Sequence, residues 1–259
     1  GLVYPLVSAA GRALGLRVTF GEWILCGALV VAHVLLLRQI ERRPWRDVAL
    51  DAAAARPGLL ARGALVGLLP ILVPSLLLLA VGALDARASA EPGGAGAWLA
   101  AAGRILWVLV PAALFEELAF RGYPFLVLQE SAGRWTAVLA TSLVFGAIHA
   151  ANPGATLGSV LVVAGAGIFL AAVRLGTGSL WAAFTAHLAW NFALSGVLHA
   201  AVSGAAFPTP GYRVVDAGPD WLTGGAWGPE GGAGAVAGML AVTWWYRRAL
   251  PLGRRAAPA

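Results

Sequence analysis

Two carboxylates and a guanidinium stand close together in an otherwise apolar stretch, LFEELAFRG, at residues 114–122. Glu117 and Arg121 are four residues apart with the acid first, which is the favourable orientation for an ion pair on one helical face. Such a pair offsets much of the cost of holding each ion away from water. Glu116 lies about 100° around a helix from Glu117, so it needs a different partner.

Candidate partners for Glu116 lie in two later apolar stretches, LVFGAIHAANPG and LWAAFTAHLAWNF. The first contains His149, one helical turn after Phe145. The second contains His187, with Asn191 one turn later on the same helical face. A single histidine on an apolar helix is usually a core residue. Two histidines, an amide and a pair of glutamates on three stretches instead indicate a chemical site, although a role of the acids in helix packing alone stays open.

The composition of the chain indicates where these residues lie. Of its 259 residues, 59% are apolar and 12% are charged, whereas soluble domains carry about a quarter charged residues. Several stretches approach the roughly 20 apolar residues that cross a bilayer, and ionisable groups inside a membrane mark function by default. The basic residues are all arginines and cluster at the ends of apolar stretches. The predicted environment is therefore the lipid bilayer, and nucleic acid is not a predicted partner.

We therefore predict an all-α, polytopic membrane bundle of about seven transmembrane helices, forming one domain over residues 1–259. Residues 1–18 could form an interfacial helix, and the long third span could bend at Pro111 or Pro124. The positive-inside rule places the N-terminus outside and the C-terminus in the cytoplasm, in a prokaryotic inner (plasma) membrane. The predicted spans are Thr19–Leu37, Leu59–Leu84, Ala97–Gln129, Trp135–Ala150, Thr156–Val173, Ser179–His199 and Ala233–Tyr246. The parts are N-terminal spans (19–84), a core with the candidate chemical groups (about 97–199), an outer loop (200–232) and a last span (233–246).

These spans place the candidate groups at similar depths. Three residues at or near the predicted cytoplasmic ends of the spans serve as references: Glu116 lies 14 residues from Glu130, His149 lies 14 from Trp135, and His187 lies 10 from Thr177. At ~1.5 Å rise per residue, these separations correspond to roughly 21, 21 and 15 Å. The three groups can therefore meet near the middle of the membrane. His33, which stands alone in the first span, is interpreted as structural.

Three motifs on successive apolar segments carry a family resemblance. EELAFRG fits Glu-Glu-x-x-x-Arg, FGAIH fits Phe-x-x-x-His, and HLAWN fits His-x-x-x-Asn. The chain thereby resembles the CPBP family (CAAX proteases and bacteriocin-processing enzymes, also called Abi) of intramembrane glutamic endopeptidases, from about Leu106 to Asn191. The segment WLTGGAWGPEGG also looks like one found in some members, but no role is assigned to it. No motif position departs from the family pattern.

The resemblance implies a role for each matched residue. Glu116 and His149 would polarise a water for attack on a peptide carbonyl, and His187 and Asn191 would donate hydrogen bonds to the developing oxyanion. The substrate would be a membrane-anchored protein or peptide, and no cofactor or metal is expected. The supporting residues would be Glu117, Arg121 and Phe145.

Three other functions stay open at this point. A zinc-dependent protease could use Glu116, His149 and His187 as ligands, with water as the fourth. A non-enzymatic membrane scaffold or immunity protein could use the same polar groups for helix assembly. A transporter with a proton relay would need inverted repeats or paired broken helices, and the sequence shows neither.

Overall fold

The computed structural model describes residues 21–249, and these residues are mostly helical. The predicted interfacial helix and the first two residues of the first predicted span lie outside the described residues. Each predicted span coincides with one or two helices, with ends displaced by a few residues. The helices are α1 (Gly21–Val34, continued by a π-helical turn over Leu35–Ile40), α2 (Pro57–Ala80), α3 (Ala95–Arg121), α4 (Tyr123–Ala132), α5 (Arg134–His149), α6 (Leu157–Thr177), α7 (Leu180–Phe192, continued by a π-helical turn over Ala193–Val197) and α8 (Ala233–Ala249).

Four helical stretches of the described chain are long and apolar enough to cross a membrane. They are Gly21–Ile40, Pro57–Ala80, Ala95–Ala132 and Leu157–Thr177. α5 has 16 residues and α7 has 13, both shorter than these four. The helical membrane bundle is thus present, whereas the predicted count of seven spans does not follow from helix length and composition.

The long third predicted span is interrupted at Gly122, two residues before Pro124. α3 runs without interruption through Pro111 and ends at Arg121. Pro124 occupies the first turn of α4, where its missing N–H needs no partner; inside a longer helix its ring would clash with the preceding turn. His33 of α1 covers this break, because its Nε2 accepts the N–H of Tyr123 at 3.0 Å. A side chain at Gly122 would overlap that imidazole.

A two-stranded antiparallel sheet joins the two loops at one end of the bundle. β1 (Leu84–Ala88) pairs with β2 (Tyr212–Asp216), with Ala86 opposite Val214. The all-α prediction missed these strands, since both are short and carry charged residues. The second predicted span was also too long: α2 ends at Ala80, and Gly82 turns the chain with a φ of +74°.

α2 and α7 approach each other closely because small residues line their contact. The Cβ of any side chain at Gly63 would overlap the carbonyl oxygen of Ala182, and one at Gly67 would overlap that of Ala186. The two glycines are four residues apart, and so are the two alanines. This is the small-residue arrangement that allows membrane helices to pack backbone to backbone. The largest apolar core lies around this contact and includes residues of α2, α6, α7 and α8. α2 therefore fixes the helix that carries His187.

Replacing Gly67 by alanine is expected to destabilise the protein. The added methyl group meets the α7 backbone, which cannot rotate away as a side chain can, and overpacking of this kind costs about 1–3 kcal/mol. The measurement is the thermal unfolding midpoint in detergent. Gly58→Ala, in the first turn of the same helix, is the control, since a Cβ there meets no atom of the described residues within 4 Å. Equal midpoints for the two variants would contradict the close contact.

Candidate active site

A fully buried ion pair lies at the centre of the predicted site. Glu117 Oε1 is 3.1 Å from Arg121 Nη1, and both side chains have zero exposed surface. Arg121 also donates from Nη2 to the carbonyl oxygen of Gly167 on α6, at 3.0 Å. Its guanidinium carbon lies 4.7 Å from the centre of the Phe145 ring on α5. One arginine of α3 therefore ties together α3, α5 and α6.

His187 of α7 faces both glutamates of α3. Its Nδ1 is 2.9 Å from Glu117 Oε1, and since the ion-paired carboxylate only accepts, Nδ1 carries the proton. Its Nε2 is 3.7 Å from Oε2 of Glu116, whose side chain is 24% exposed. The sequence predicted that Glu117 pairs with Arg121 alone and that the histidines face Glu116. In the structure Glu117 serves both Arg121 and His187, because its Oε1 faces α7 as well as the guanidinium.

His149, at the end of α5, has a defined orientation. Its Nδ1 lies 2.6 Å from the carbonyl oxygen of Phe145, one turn earlier. A carbonyl oxygen accepts only, so Nδ1–H donates, and Nε2 of a neutral ring is left with a free lone pair. The Phe145 ring also packs on the imidazole, with ring centres 4.7 Å apart. Phe145 thus positions His149 through its backbone and its side chain.

The two histidines line one small cavity inside the bundle. Its volume is about 30 Å³, and about 10–15 Å³ is enough for one water. Asn191 lines it too, and so do apolar residues of α6 such as Val163 and Leu170. Glu116 does not line this cavity, and its contact with the site is the approach of its Oε2 to His187 Nε2. Of the seven predicted residues, Phe145, His149, His187 and Asn191 line this cavity, whereas Glu116, Glu117 and Arg121 lie outside its lining and contact His187 or Phe145.

Sequence reasoning missed three residues of this cavity region. Ser203 and Glu230, from the loop after α7, line the cavity, as does Trp190 of α7. Glu230 is buried and accepts a hydrogen bond from Trp190 Nε1 at 2.7 Å. The available signal was the acid in WLTGGAWGPEGG, a segment otherwise made of apolar residues, glycine, threonine and proline. Its chain position, far from the three motifs, gave no reason to place it here.

Comparison with known proteins supports the motif assignment. Residues 98–193 match the family model described as type II CAAX prenyl endopeptidase Rce1-like, and this is the CPBP family. This segment belongs to the CPBP family. The CPBP segment runs from the first turns of α3 to the end of α7 and includes all seven predicted site residues. No curated protein and no solved structure matches the chain.

The family resemblance found in the sequence is therefore confirmed. The CPBP family of Rce1-like proteins is a protease family. Together with the four long apolar helices, this makes the chain a membrane protein with a protease-family segment. α1, α2 and the loop that carries Glu230 lie outside the CPBP segment.

Proposed function

We propose that the protein is an intramembrane endopeptidase that hydrolyses a peptide bond in a membrane-anchored protein or peptide. The observation that carries this proposal is the convergence on His187. Helix α3 places Glu116 3.7 Å from its Nε2 and Glu117 2.9 Å from its Nδ1, and helix α5 places His149 on the wall of the cavity that His187 lines. Titratable groups from three helices that meet around one imidazole are suited to proton transfer and to stabilising charge.

In the proposed mechanism, Glu116 and His149 activate a water molecule. The free Nε2 of His149 accepts a hydrogen bond from the water, and the Glu116 carboxylate takes the proton as the water oxygen attacks the peptide carbonyl carbon. The new C–O bond gives a tetrahedral intermediate. When the C–N bond breaks, the same proton passes from Glu116 to the leaving amine. No covalent bond to the enzyme is formed.

The charge that develops on the carbonyl oxygen needs donors that are already in place. The Asn191 side chain can donate to this oxyanion from the cavity wall. His187, which carries a proton on Nδ1 and faces two carboxylates, can hold a second proton on Nε2 and donate from there. Glu117 and Arg121 would act by fixing the imidazole of His187, since both are fully buried. Such preorganised donors act strongly where water is excluded.

The zinc alternative uses Glu116, His149 and His187. Within residues 21–249 no group of three His, Cys, Asp or Glu side chains is arranged to hold a metal ion. We propose a metal-free mechanism, and its chelator test is described in the Discussion.

The proposed location is a prokaryotic inner membrane, with the N-terminus outside and the C-terminus in the cytoplasm. The arginine distribution supports this orientation. The β1–β2 pairing supports the alternation of the helices, because it places the loop after α2 and the loop after α7 at one end of the bundle. Side-specific labelling of these two loops checks the orientation: labelling from the cytoplasmic side would reverse it.

The function is tested with purified protein in lipid vesicles. We expect cleavage of at least one peptide from a panel of membrane-anchored substrates, both prenylated and non-prenylated. Asn191→Ala should lower turnover about a hundred- to a thousandfold, as loss of one oxyanion donor does, at unchanged abundance. In a scaffold or immunity protein the same variant would change assembly and not turnover. If the wild-type protein cleaves none of the panel and captures no peptidic transition-state analogue, the proposal is wrong.

A further inference from the structure

We propose that Glu230 is a positioning residue of the same site, and this proposal rests on the proposed function. Its carboxylate fastens the loop after α7 to α7 itself and, through Ser203, to the turn that follows α5. α7 carries His187 and Asn191, and the turn begins directly after His149. Glu230 would thereby hold the cavity in its catalytic shape without taking part in the chemistry.

The contacts of the Glu230 carboxylate are all with hydrogen-bond donors. Oε2 accepts the indole N–H of Trp190 at 2.7 Å. Oε1 accepts the hydroxyl of Ser203 at 2.7 Å and also the backbone N–H of Ser203. The residue is 6% exposed, and hydrogen bonds to a charged acceptor are the strong ones. Three such bonds satisfy this buried carboxylate, and none of the cations within residues 21–249 forms an ion pair with it.

Ser203 connects this carboxylate to α5. Its φ of +48° is unusual for a residue other than glycine, and such a conformation persists only where surrounding contacts impose it. Its carbonyl oxygen accepts from Asn152 Nδ2 at 3.0 Å. The backbone N–H of Asn152 in turn donates to the carbonyl oxygen of His149, also at 3.0 Å. A continuous chain of hydrogen bonds therefore runs from Glu230 to the residue that is proposed to orient the water.

Trp190 connects the carboxylate to α7. It lies one residue before Asn191 and three after His187, and only 7% of it is exposed. Glu230 itself lines the cavity with these residues. Its two oxygens are nevertheless taken up by three donors, so a water in the cavity would have to displace one of these donors to reach the carboxylate. A role in holding geometry therefore fits Glu230 better than a role as the catalytic base.

Loss of one of these bonds should disturb the geometry of the cavity more than the fold. Glu230→Gln keeps the size of the side chain and an oxygen for Ser203, but it turns an amide N–H₂ toward the indole N–H of Trp190. The two donors repel, so the end of α7 has to move. A displacement of about 1 Å from productive geometry can cost a hundredfold in rate.

The experiment compares Glu230→Gln, Trp190→Phe and the double variant in the same vesicle assay. We expect Glu230→Gln to lower kcat about 10- to 100-fold with little change in KM. Trp190→Phe removes the opposing donor, so the double variant should recover much of this loss. Glu91→Gln, at an exposed carboxylate in the loop before α3, is the control and should match the wild type. A merely structural role would lower abundance and unfolding midpoint without this recovery.

A second measurement does not depend on cleavage. Hydrogen–deuterium exchange of peptides that cover residues 200–206 should be faster in Glu230→Gln than in the wild type, since the Ser203 amide loses a charged acceptor. Unchanged exchange overturns the fastening role, whether or not the protein is a protease. Faster exchange with wild-type kcat, or an absence of recovery in the double variant, overturns the positioning role. A wild-type protein that cleaves nothing overturns the proposed function and leaves the exchange result to decide on the contact.

Discussion

Glu116→Gln is expected to reduce peptide cleavage about a hundred- to ten-thousandfold, the range that a positioned acid–base group contributes. The amide keeps the shape of the side chain but can neither take a proton from water nor return one to the leaving amine. Because Glu116 is 24% exposed and lies outside the ion pair with Arg121, the variant should fold normally. The measurement is turnover in vesicles, together with the amount of folded protein.

The same assay separates the metal-free mechanism from a zinc enzyme. Wild-type cleavage should survive prolonged treatment with a strong chelator. A loss of activity that added zinc restores would show that the proposed mechanism is wrong. Near-wild-type turnover of Glu116→Gln would exclude this residue as the base.

Arg121→Met is expected to destabilise the protein by about 3–5 kcal/mol, since removal of one partner leaves the other charge buried and uncompensated. Here the orphaned charge is Glu117, which has zero exposed surface and loses its arginine partner while keeping the hydrogen bond from His187 Nδ1. The carbonyl of Gly167 and the face of the Phe145 ring lose a partner as well. Most of the protein should therefore fail to accumulate. The measurement is the yield of folded protein and its unfolding midpoint in detergent.

A compensating change tests the cause of this loss. Adding Glu117→Gln to Arg121→Met removes the orphaned charge and retains an oxygen for His187, so part of the stability should return. Arg134→Met, at an exposed arginine at the start of α5, is the control and should have little effect. A double variant no more stable than Arg121→Met would show that packing, and not charge, sets the requirement at this position.

The helices and the core of the site could be predicted because their signals are local. Apolar stretches of sufficient length locate the helices, and the four-residue spacings fix which side chains share a face. The i, i+4 geometry of Glu117 and Arg121 gave the ion pair that the structure contains. These polar residues are conspicuous in the sequence because they interrupt stretches that are otherwise apolar.

The features that were missed depend on contacts between distant parts of the chain. The partner of His187 Nδ1 is set by how α3 and α7 pack, and no spacing within either helix specifies whether Glu116 or Glu117 faces it. The β1–β2 pairing joins residues 84–88 to residues 212–216, and its charged strands lack the alternation of a half-buried sheet. Glu230 lies at the cavity because Ser203 and Trp190 donate hydrogen bonds to its carboxylate there. A single sequence has no local pattern that predicts contacts between residues so far apart in the chain.

Because Gly63 and Gly67 of α2 pack against the α7 backbone, the segment that carries the candidate site depends on a helix outside it. α2 lies outside residues 98–193, the segment that matches the family. In a chimaera that kept this segment but had other N-terminal helices, side chains would replace Gly63 and Gly67. These side chains would overlap the α7 backbone. The smallest part of this protein that can fold on its own is therefore larger than the segment that matches the family.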